Sequence, residues 1–161
     1  MKLQVPNDVV NQAVGSLWYK ETKENPCSQG THVVKVVGVV VDEEYGSIQL
    51  LLFTESGEKI IDRYNLYDKQ GNSNGNVWKR FGVAYNRLMD KWLKSEFDTT
   101  ELVGKIMQIE ITHAPNPQGG VYVNTGTMTK CDSFNPKEGV VVPELIVPPK
   151  KEDQVDFSDI L

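Results

Sequence analysis

Residues 33–67 read VVKVVGVVVDEEYGSIQLLLFTESGEKIIDRYNLY, and this stretch decides the fold class. Three runs rich in apolar residues occupy 33–42, 48–55 and 59–67, the first of them largely β-branched, and short segments with glycine separate them. Residues of this kind favour strands, and closely spaced strands with glycine turns are typical of an antiparallel meander or barrel. Gly38 interrupts the first run, which indicates a bulge or a tight bend in a curled sheet.

The apolar period changes after the polar segment 68–76, which we expect to be a flexible loop. From residue 78 to residue 92, apolar side chains recur at steps of three and four. This spacing predicts an amphipathic helix that runs to about Ser95, with Asn76 as its N-cap. The apolar stripe consists of Trp78, Phe81, Tyr85, Leu88 and Trp92.

Strand character returns over 102–114 and 121–130, on either side of the turn PNPQGG. Five strands with one helix between the third and the fourth is the arrangement of the OB-fold, a small, partly open Greek-key barrel. We therefore predict a mainly β protein whose OB-fold domain spans 1–134. An immunoglobulin-like sandwich fits less well, because it requires about seven strands and no long helix. The pattern does not place the segment before residue 30.

The negative charge of the chain is concentrated at one end. The 161 residues carry a net charge of −5, from 22 acids and 17 bases. Residues 152–161 hold four of the acids and no base, which leaves 18 acids and 17 bases elsewhere. Four prolines follow Asn135 and cannot donate to a sheet ladder, so we expect an extended linker over 135–149. We expect the acidic tail, 150–161, to be disordered.

Neither a membrane span nor a leader is predicted. No apolar run approaches the roughly 18 residues that a span requires. The first residues, MKLQVPNDVV, lack the apolar core of a signal peptide, so we expect a cytoplasmic protein.

The candidate binding residues follow from the chemistry of single-stranded nucleic acids. Cations follow the phosphates, aromatic rings stack on the bases, and OB-folds bind such ligands on the face of strands two and three. In the third strand Lys59, Arg63 and Tyr67 are predicted to share one face, opposite Tyr64. The full set of predicted contacts is Lys35, Lys59, Arg63, Tyr67, Tyr122, Lys130 and Trp18.

Each of these residues could instead have an ordinary structural role and make no contact with nucleic acid. An aromatic side chain on a barrel strand usually belongs to the core, and we expect this of Phe53. Period two predicts that Tyr122 and Lys130 share a face of the fifth strand. The basic residues of the helix are expected to form its solvated face.

Metal binding and catalysis have little support in the sequence. Cys27, His32, His113 and Cys131 number four, as zinc requires, but their spacing matches no common zinc finger. We expect two reduced thiols, no metal and no cofactor. Phosphate-binding glycine loops and nucleophile elbows are absent, so we expect no enzymatic activity.

The last nine residues, DQVDFSDIL, combine carboxylates with apolar side chains at the very end. Such a tail can insert its apolar tip into a partner's pocket, or occupy a cationic groove of its own protein in competition with phosphate. A disordered end without a role is the third interpretation. The residues concerned are Asp153, Asp156, Phe157, Asp159, Ile160 and Leu161.

An OB-like body, a proline-bearing linker and this ending together resemble the single-stranded DNA-binding proteins of bacteria and their phages. The strand GKIMQIEITH (104–113) and the helix after the third strand make the body more similar to the divergent phage versions. The final pair also differs, being Ile-Leu where the bacterial proteins have Pro-Phe.

The resemblance implies a protein that coats single-stranded DNA during phage replication and recombination, in the host cytoplasm. It also implies that the tail recruits replication or recombination proteins, and that the chain forms a homodimer. The alternative from another class is a protein-interaction adaptor with an OB-like barrel and no nucleic acid, which the weak overall charge favours.

Overall fold

A five-stranded antiparallel sheet and two α-helices make up the protein. The computed structural model describes residues 1–3 and 9–147. The strand order is β3-β2-β1-β4-β5, so the mainly β class and the predicted helix between the third and fourth strands are confirmed. In chain order the elements are α1 (Val9–Glu24), β1 (Gly30–Asp42), β2 (Ser47–Thr54), β3 (Lys59–Asn65), α2 (Gly75–Met89), a 3₁₀ helix (Thr99–Leu102), β4 (Ile106–Pro115) and β5 (Val121–Thr129).

Strand β1 is almost wholly apolar because both of its faces are covered. Val36 and Val39 belong to a cluster on the inner face of the sheet, whereas Val37 and Val40 belong to a second cluster on the outer face. The register between β1 and β2 shifts at Gly38, so the bulge predicted there is confirmed.

The inner cluster joins the sheet to α2. Helix α2 buries one stripe of its surface, as the spacing of three and four predicts. Rings form the centre of this contact, with the Phe81 and Tyr64 centroids 5.2 Å apart in an edge-on arrangement. The buried members of the stripe are Phe81, Ala84, Tyr85 and Leu88.

Both ends of helix α2 lie at residues other than those predicted. The N-cap is Asn74, whose side chain accepts from the N–H of Val77, and not Asn76. The helix ends at Met89 because Asp90 adopts a left-handed conformation with φ 58°. Trp92 therefore lies outside the helix and is 68% exposed, although the sequence predicts it in the buried stripe.

Helix α1 is the element that the sequence analysis did not place. It covers the outer face of the sheet with one stripe of buried residues, which follow one another at intervals of about one helical turn. These residues are Asn11, Gly15 and Trp18. A side chain at Gly15 would approach Val40 to 2.9 Å, so glycine permits the close contact between helix and strand. The indole N–H of Trp18 donates to the carbonyl of Ile60 at 3.2 Å.

The segment that follows β5 also lies on the outer face. The N–H of Lys137 donates to the carbonyl of Glu55, and the N–H of Ile146 donates to that of Val37. Phe134, Val140 and Val142 pack against the outer cluster. The part of the predicted linker that is described, 135–147, is thus docked on the sheet. The predicted disordered tail lies outside the described residues.

Strands β3 and β5 are the two edges of the sheet, and side chains connect them. The carboxylate of Asp62 on β3 accepts from Thr125 on β5 at 3.0 Å, and also from Tyr64 and Arg80. Asp62 is only 2% exposed, so its charge is held in the interior by these three donors.

Among the described residues, no helix has both the length and the apolar character to cross a membrane.

Candidate nucleic-acid interface

An open cleft of about 560 Å³ lies beside β3, and we call it the hairpin cleft. Its lining comes from the end of α1, from β3 and from the β4–β5 hairpin. The volume is within the range of about 300–1,000 Å³ that is usual for ligand sites. Three predicted contacts meet here: Lys59, Arg63 and Tyr122.

The charge of the hairpin cleft is uniformly positive. Lys23, Lys59 and Arg63 line it, and none of its lining residues is acidic. At the rim, Lys59 forms an ion pair with Glu21. Within the described part of the chain, Arg63 has no carboxylate within ion-pair distance, and its Nε donates to the Asn65 side chain at 3.0 Å. Arg63 is therefore the cation best placed to receive a phosphate.

Two exposed tyrosines supply aromatic surface in the same cleft. Tyr122 on β5 is 52% exposed and Tyr19 on α1 is 54% exposed. The ammonium of Lys23, one helical turn after Tyr19, lies 4.9 Å from the centroid of that ring. Sequence reasoning missed Tyr19 and Lys23 as site residues. Their spacing of four residues was the available signal, but it has meaning only once α1 is known to be a helix.

The strand pattern of β3 explains why Arg63 faces the cleft. Ile60, Asp62 and Tyr64 alternate with it and are buried on the inner side, as period two requires. Tyr64 is therefore excluded from stacking. Burial, followed by the negative charge of Asp62, raises the pKa of the Tyr64 phenol.

Lys35 and Lys130 lie in a different cleft, which we call the Lys35 cleft. The cleft encloses about 380 Å³ and also contains Arg87 and Lys105, but two carboxylates, Asp90 and Asp132, line it as well. Lys130 forms an ion pair with Asp90.

The prediction that Tyr122 and Lys130 share a face is wrong. Two residues lie between Thr125 and Met128 on β5, while one residue lies between their partners Ile111 and Ile109 on β4. The extra residue of this bulge reverses the face of every later side chain.

Tyr67 lies beyond the end of β3, in a third cleft of about 590 Å³ that we call the Tyr67 cleft. Arg63 lines this cleft too, and so connects it with the hairpin cleft. The ring of Tyr67 packs edge-on against Trp78, with centroids 6.1 Å apart. The loop that follows Tyr67 is held by Asp68, whose carboxylate accepts from the backbone N–H groups of Gln70 and Asn72. Three acids line the Tyr67 cleft, Glu43, Glu44 and Asp68.

Trp18 is poorly placed for stacking on a base. It is buried in the outer cluster, its N–H is bonded to Ile60, and the ammonium of Lys59 lies 4.7 Å over its ring. Phe53 is also buried, as expected. The buried Trp18 ring therefore packs against the Lys59 ammonium.

The four cysteine and histidine residues considered for zinc do not converge as a set. Instead Cys27 and His32 meet Glu58, with one ligand atom from each lying within 4.8 Å of the others. Burial, and then the neighbouring Glu58, raise the pKa of the Cys27 thiol to about 12. Burial alone would raise the pKa of Glu58, but hydrogen bonds from Ser28 and Ser56 outweigh it and lower that pKa.

Together these features define a mainly β protein with an open, cationic and aromatic cleft at one edge of its sheet. No family model and no curated protein sequence matches the chain.

Proposed function

We propose that the protein binds single-stranded DNA in the hairpin cleft. The observation that carries this proposal is the lining of that cleft, where three cations and two exposed tyrosines meet and none of the described lining residues is acidic. Cations attract phosphates, and each base offers a ring face on which a tyrosine stacks. Duplex DNA keeps its bases stacked inside, so the same tyrosines favour an unpaired strand.

We propose further that the fold is an OB-fold barrel. The support is the antiparallel order β3-β2-β1-β4-β5 with α2 between β3 and β4, together with the Asp62–Thr125 contact across the two edges. OB-folds bind oligonucleotides beside strands two and three, between the first and the last hairpin loops. Here the last loop, Asn116–Gly120, lines the hairpin cleft, and the first loop, Glu43–Gly46, lines the Tyr67 cleft.

The bound strand passes Arg63 in this proposal. Arg63 lines both the hairpin cleft and the Tyr67 cleft, so one guanidinium contacts the phosphate between the two. Bases stack on Tyr122 and Tyr19 on one side and on Tyr67 on the other. The acids of the Tyr67 cleft repel phosphate, so the cationic hairpin cleft provides most of the affinity.

A fluorescence-anisotropy titration tests the proposal with a labelled oligo-dT and with a duplex of the same length. We expect tighter binding of the single strand, and a large loss of affinity in Arg63→Glu. Lys130→Glu is the matched control, because it changes the net charge equally in the Lys35 cleft. Equal affinity for both probes, or an Arg63→Glu variant that binds like the parent, would overturn the proposal.

The acidic tail and the oligomeric state complete the proposed function. We propose that Phe157, Ile160 and Leu161 recruit replication or recombination proteins, and that the chain acts as a homodimer. These tail residues lie outside the described part of the chain. Removing 152–161 is expected to tighten binding to oligo-dT at low salt, because an intramolecular anion no longer competes with phosphate. Unchanged affinity across a salt titration contradicts this restraint.

A further inference from the structure

Three side chains that could bind a metal through sulfur, nitrogen and oxygen lie close together, one of them just after the C-terminal end of α1. Cys27 comes from the connection after α1, His32 from β1 and Glu58 from the turn before β3. One ligand atom of each lies within 4.8 Å of the other two. Cys27 is buried, whereas His32 and Glu58 are half-buried, so the group has an inner and an accessible side.

The spacing of these atoms is close to what a zinc ion requires. Ligand atoms at about 2.0–2.3 Å from a tetrahedral zinc lie roughly 3.3–3.8 Å from one another. Side-chain movements of about 1 Å bring three atoms from 4.8 Å to such distances. Thiolate, imidazole and carboxylate are all zinc ligands, whereas magnesium and calcium prefer oxygen alone.

We propose that Cys27, His32 and Glu58 form a zinc-binding site. Cys27 binds as the thiolate and releases its proton to solvent, so no oxidant or reductant takes part. A water molecule fills the fourth position of the ion. The proposal does not depend on nucleic-acid binding.

Hydrogen bonds around the group already orient two of the ligands. The carboxylate of Glu58 accepts from the N–H of Ser28 at 2.7 Å, from its hydroxyl at 2.9 Å and from the Ser56 hydroxyl at 3.0 Å. Nε2 of His32 lies 2.7 Å from the carbonyl of Ser28. A carbonyl only accepts, so this nitrogen is the donor, and Nδ1 is the ring nitrogen left for a metal. Outer hydrogen bonds of this kind are usual around metal ligands.

The chain around Cys27 is fixed from a second direction. Nε2 of His113 on β4 lies 2.6 Å from the carbonyl oxygen of Cys27, and the backbone N–H of His113 donates to the side-chain oxygen of Gln29 at 2.9 Å. A zinc ion here ties the connection after α1 to both β1 and the β2–β3 turn. The ion thereby fixes the end of α1 that carries Tyr19 and Lys23.

The experiment uses the full, tag-free chain, freed of metal with a chelator and then titrated with cobalt alone. We expect one equivalent of Co²⁺ to bind with a thiolate-to-metal charge-transfer band, and one equivalent of Zn²⁺ to abolish that band. Cys27→Ser should lose the band. Cys131→Ser is the matched control, because it removes the chain's other free thiol and should leave the band intact.

His32→Gln and Glu58→Gln keep the proposal testable if Cys27→Ser fails to fold. Both residues are half-buried, and we expect each variant to lose about tenfold or more in cobalt affinity, the order of loss seen when metal sites are altered. Circular dichroism should report parent-like folds.

Three results would overturn the site: no charge-transfer band in the parent, a band that depends on Cys131, or parent-like cobalt affinity in both His32→Gln and Glu58→Gln. The readout contains no DNA, so its failure is separate from failure of the proposed function.

Discussion

The hairpin cleft and the Lys35 cleft are both cationic, but they differ in what surrounds the cations. Arg63 in the hairpin cleft has no acidic neighbour in its lining, and exposed tyrosines stand beside it. Lys130 in the Lys35 cleft is paired with Asp90, and Asp132 lies in the same lining. A count of basic residues does not distinguish the two surfaces. What distinguishes them is whether carboxylates line the cleft beside the cations and whether exposed tyrosines line it as well.

The acids beside the cations of the two clefts also differ in burial. Asp62, next to Arg63 on β3, is buried and accepts a hydrogen bond from Thr125 on the opposite edge strand. Asp90 and Lys130 are 74% and 49% exposed in their side chains, so water screens their attraction. The strand that carries Arg63 is therefore joined to β5 by a buried polar network, whereas Lys130 has an exposed partner.

The largest expected effect is on stability, from Asp62→Ala. Removing the carboxylate takes away the charged acceptor of the Tyr64 hydroxyl and the Arg80 guanidinium, and leaves them only the Met128 sulfur and the Thr125 hydroxyl. We expect a loss of about 3 kcal/mol in the free energy of unfolding, measured by urea denaturation. A loss no larger than that of Asp90→Ala would show that the two networks are equivalent.

The next effect is on binding, from Tyr122→Ala. Loss of a stacking ring typically costs about 1–3 kcal/mol per base, so anisotropy with oligo-dT should show weaker binding. Tyr122→Phe keeps the ring and is expected to bind like the parent. If Tyr122→Ala also retains full affinity, the hairpin cleft has lost its aromatic role.

A smaller effect separates the cations of the two clefts. Each neutralised phosphate of a single strand contributes about 0.7 to the slope of log affinity against log salt. Arg63→Gln should reduce that slope by about this amount, whereas Lys130→Gln should leave it unchanged. Equal reductions in both variants would mean that the strand crosses both clefts.

The smallest effect is expected from Asp90→Asn, which removes the partner of Lys130. Exposed ion pairs contribute about 0–1 kcal/mol, so the midpoint of urea unfolding should change little. The affinity for oligo-dT should stay the same, although the variant frees a cation. A clear gain in affinity would identify the Lys35 cleft as part of the interface.

Much of the sheet could be predicted because its signals are local. In β1 to β5 the apolar residues follow one another or alternate with polar residues over short distances. In α2 the apolar residues recur at steps of three and four. The end of α2 could not be predicted in the same way, because the left-handed Asp90 ends the helix about one turn before the apolar stripe ends. Helix α1 gave no such stripe, because its buried face holds Asn11 and Gly15 beside Trp18.

The candidate site was predicted in part. Lys59, Arg63 and Tyr122 do line one cleft, and alternation along β3 correctly separated Arg63 from Tyr64. The face predicted for Lys130 is wrong because period two was applied across the bulge of β5, although Gly126 inside that bulge is a signal of the same kind as Gly38 in β1. Trp18 was assigned to stacking because nothing in the sequence shows that α1 folds over the outer face.

Local patterns in the chain predict the five strands, the helix after the third strand, and the alternation that turns Arg63 away from the core. These features follow from backbone periodicity, which acts between near neighbours in the chain. The folded protein alone shows which cations lie beside tyrosines, which are paired with acids, and which residues α1 buries. Those outcomes depend on how segments far apart in the chain come together, as when Lys23 and Tyr122 line one cleft, and no local pattern encodes them.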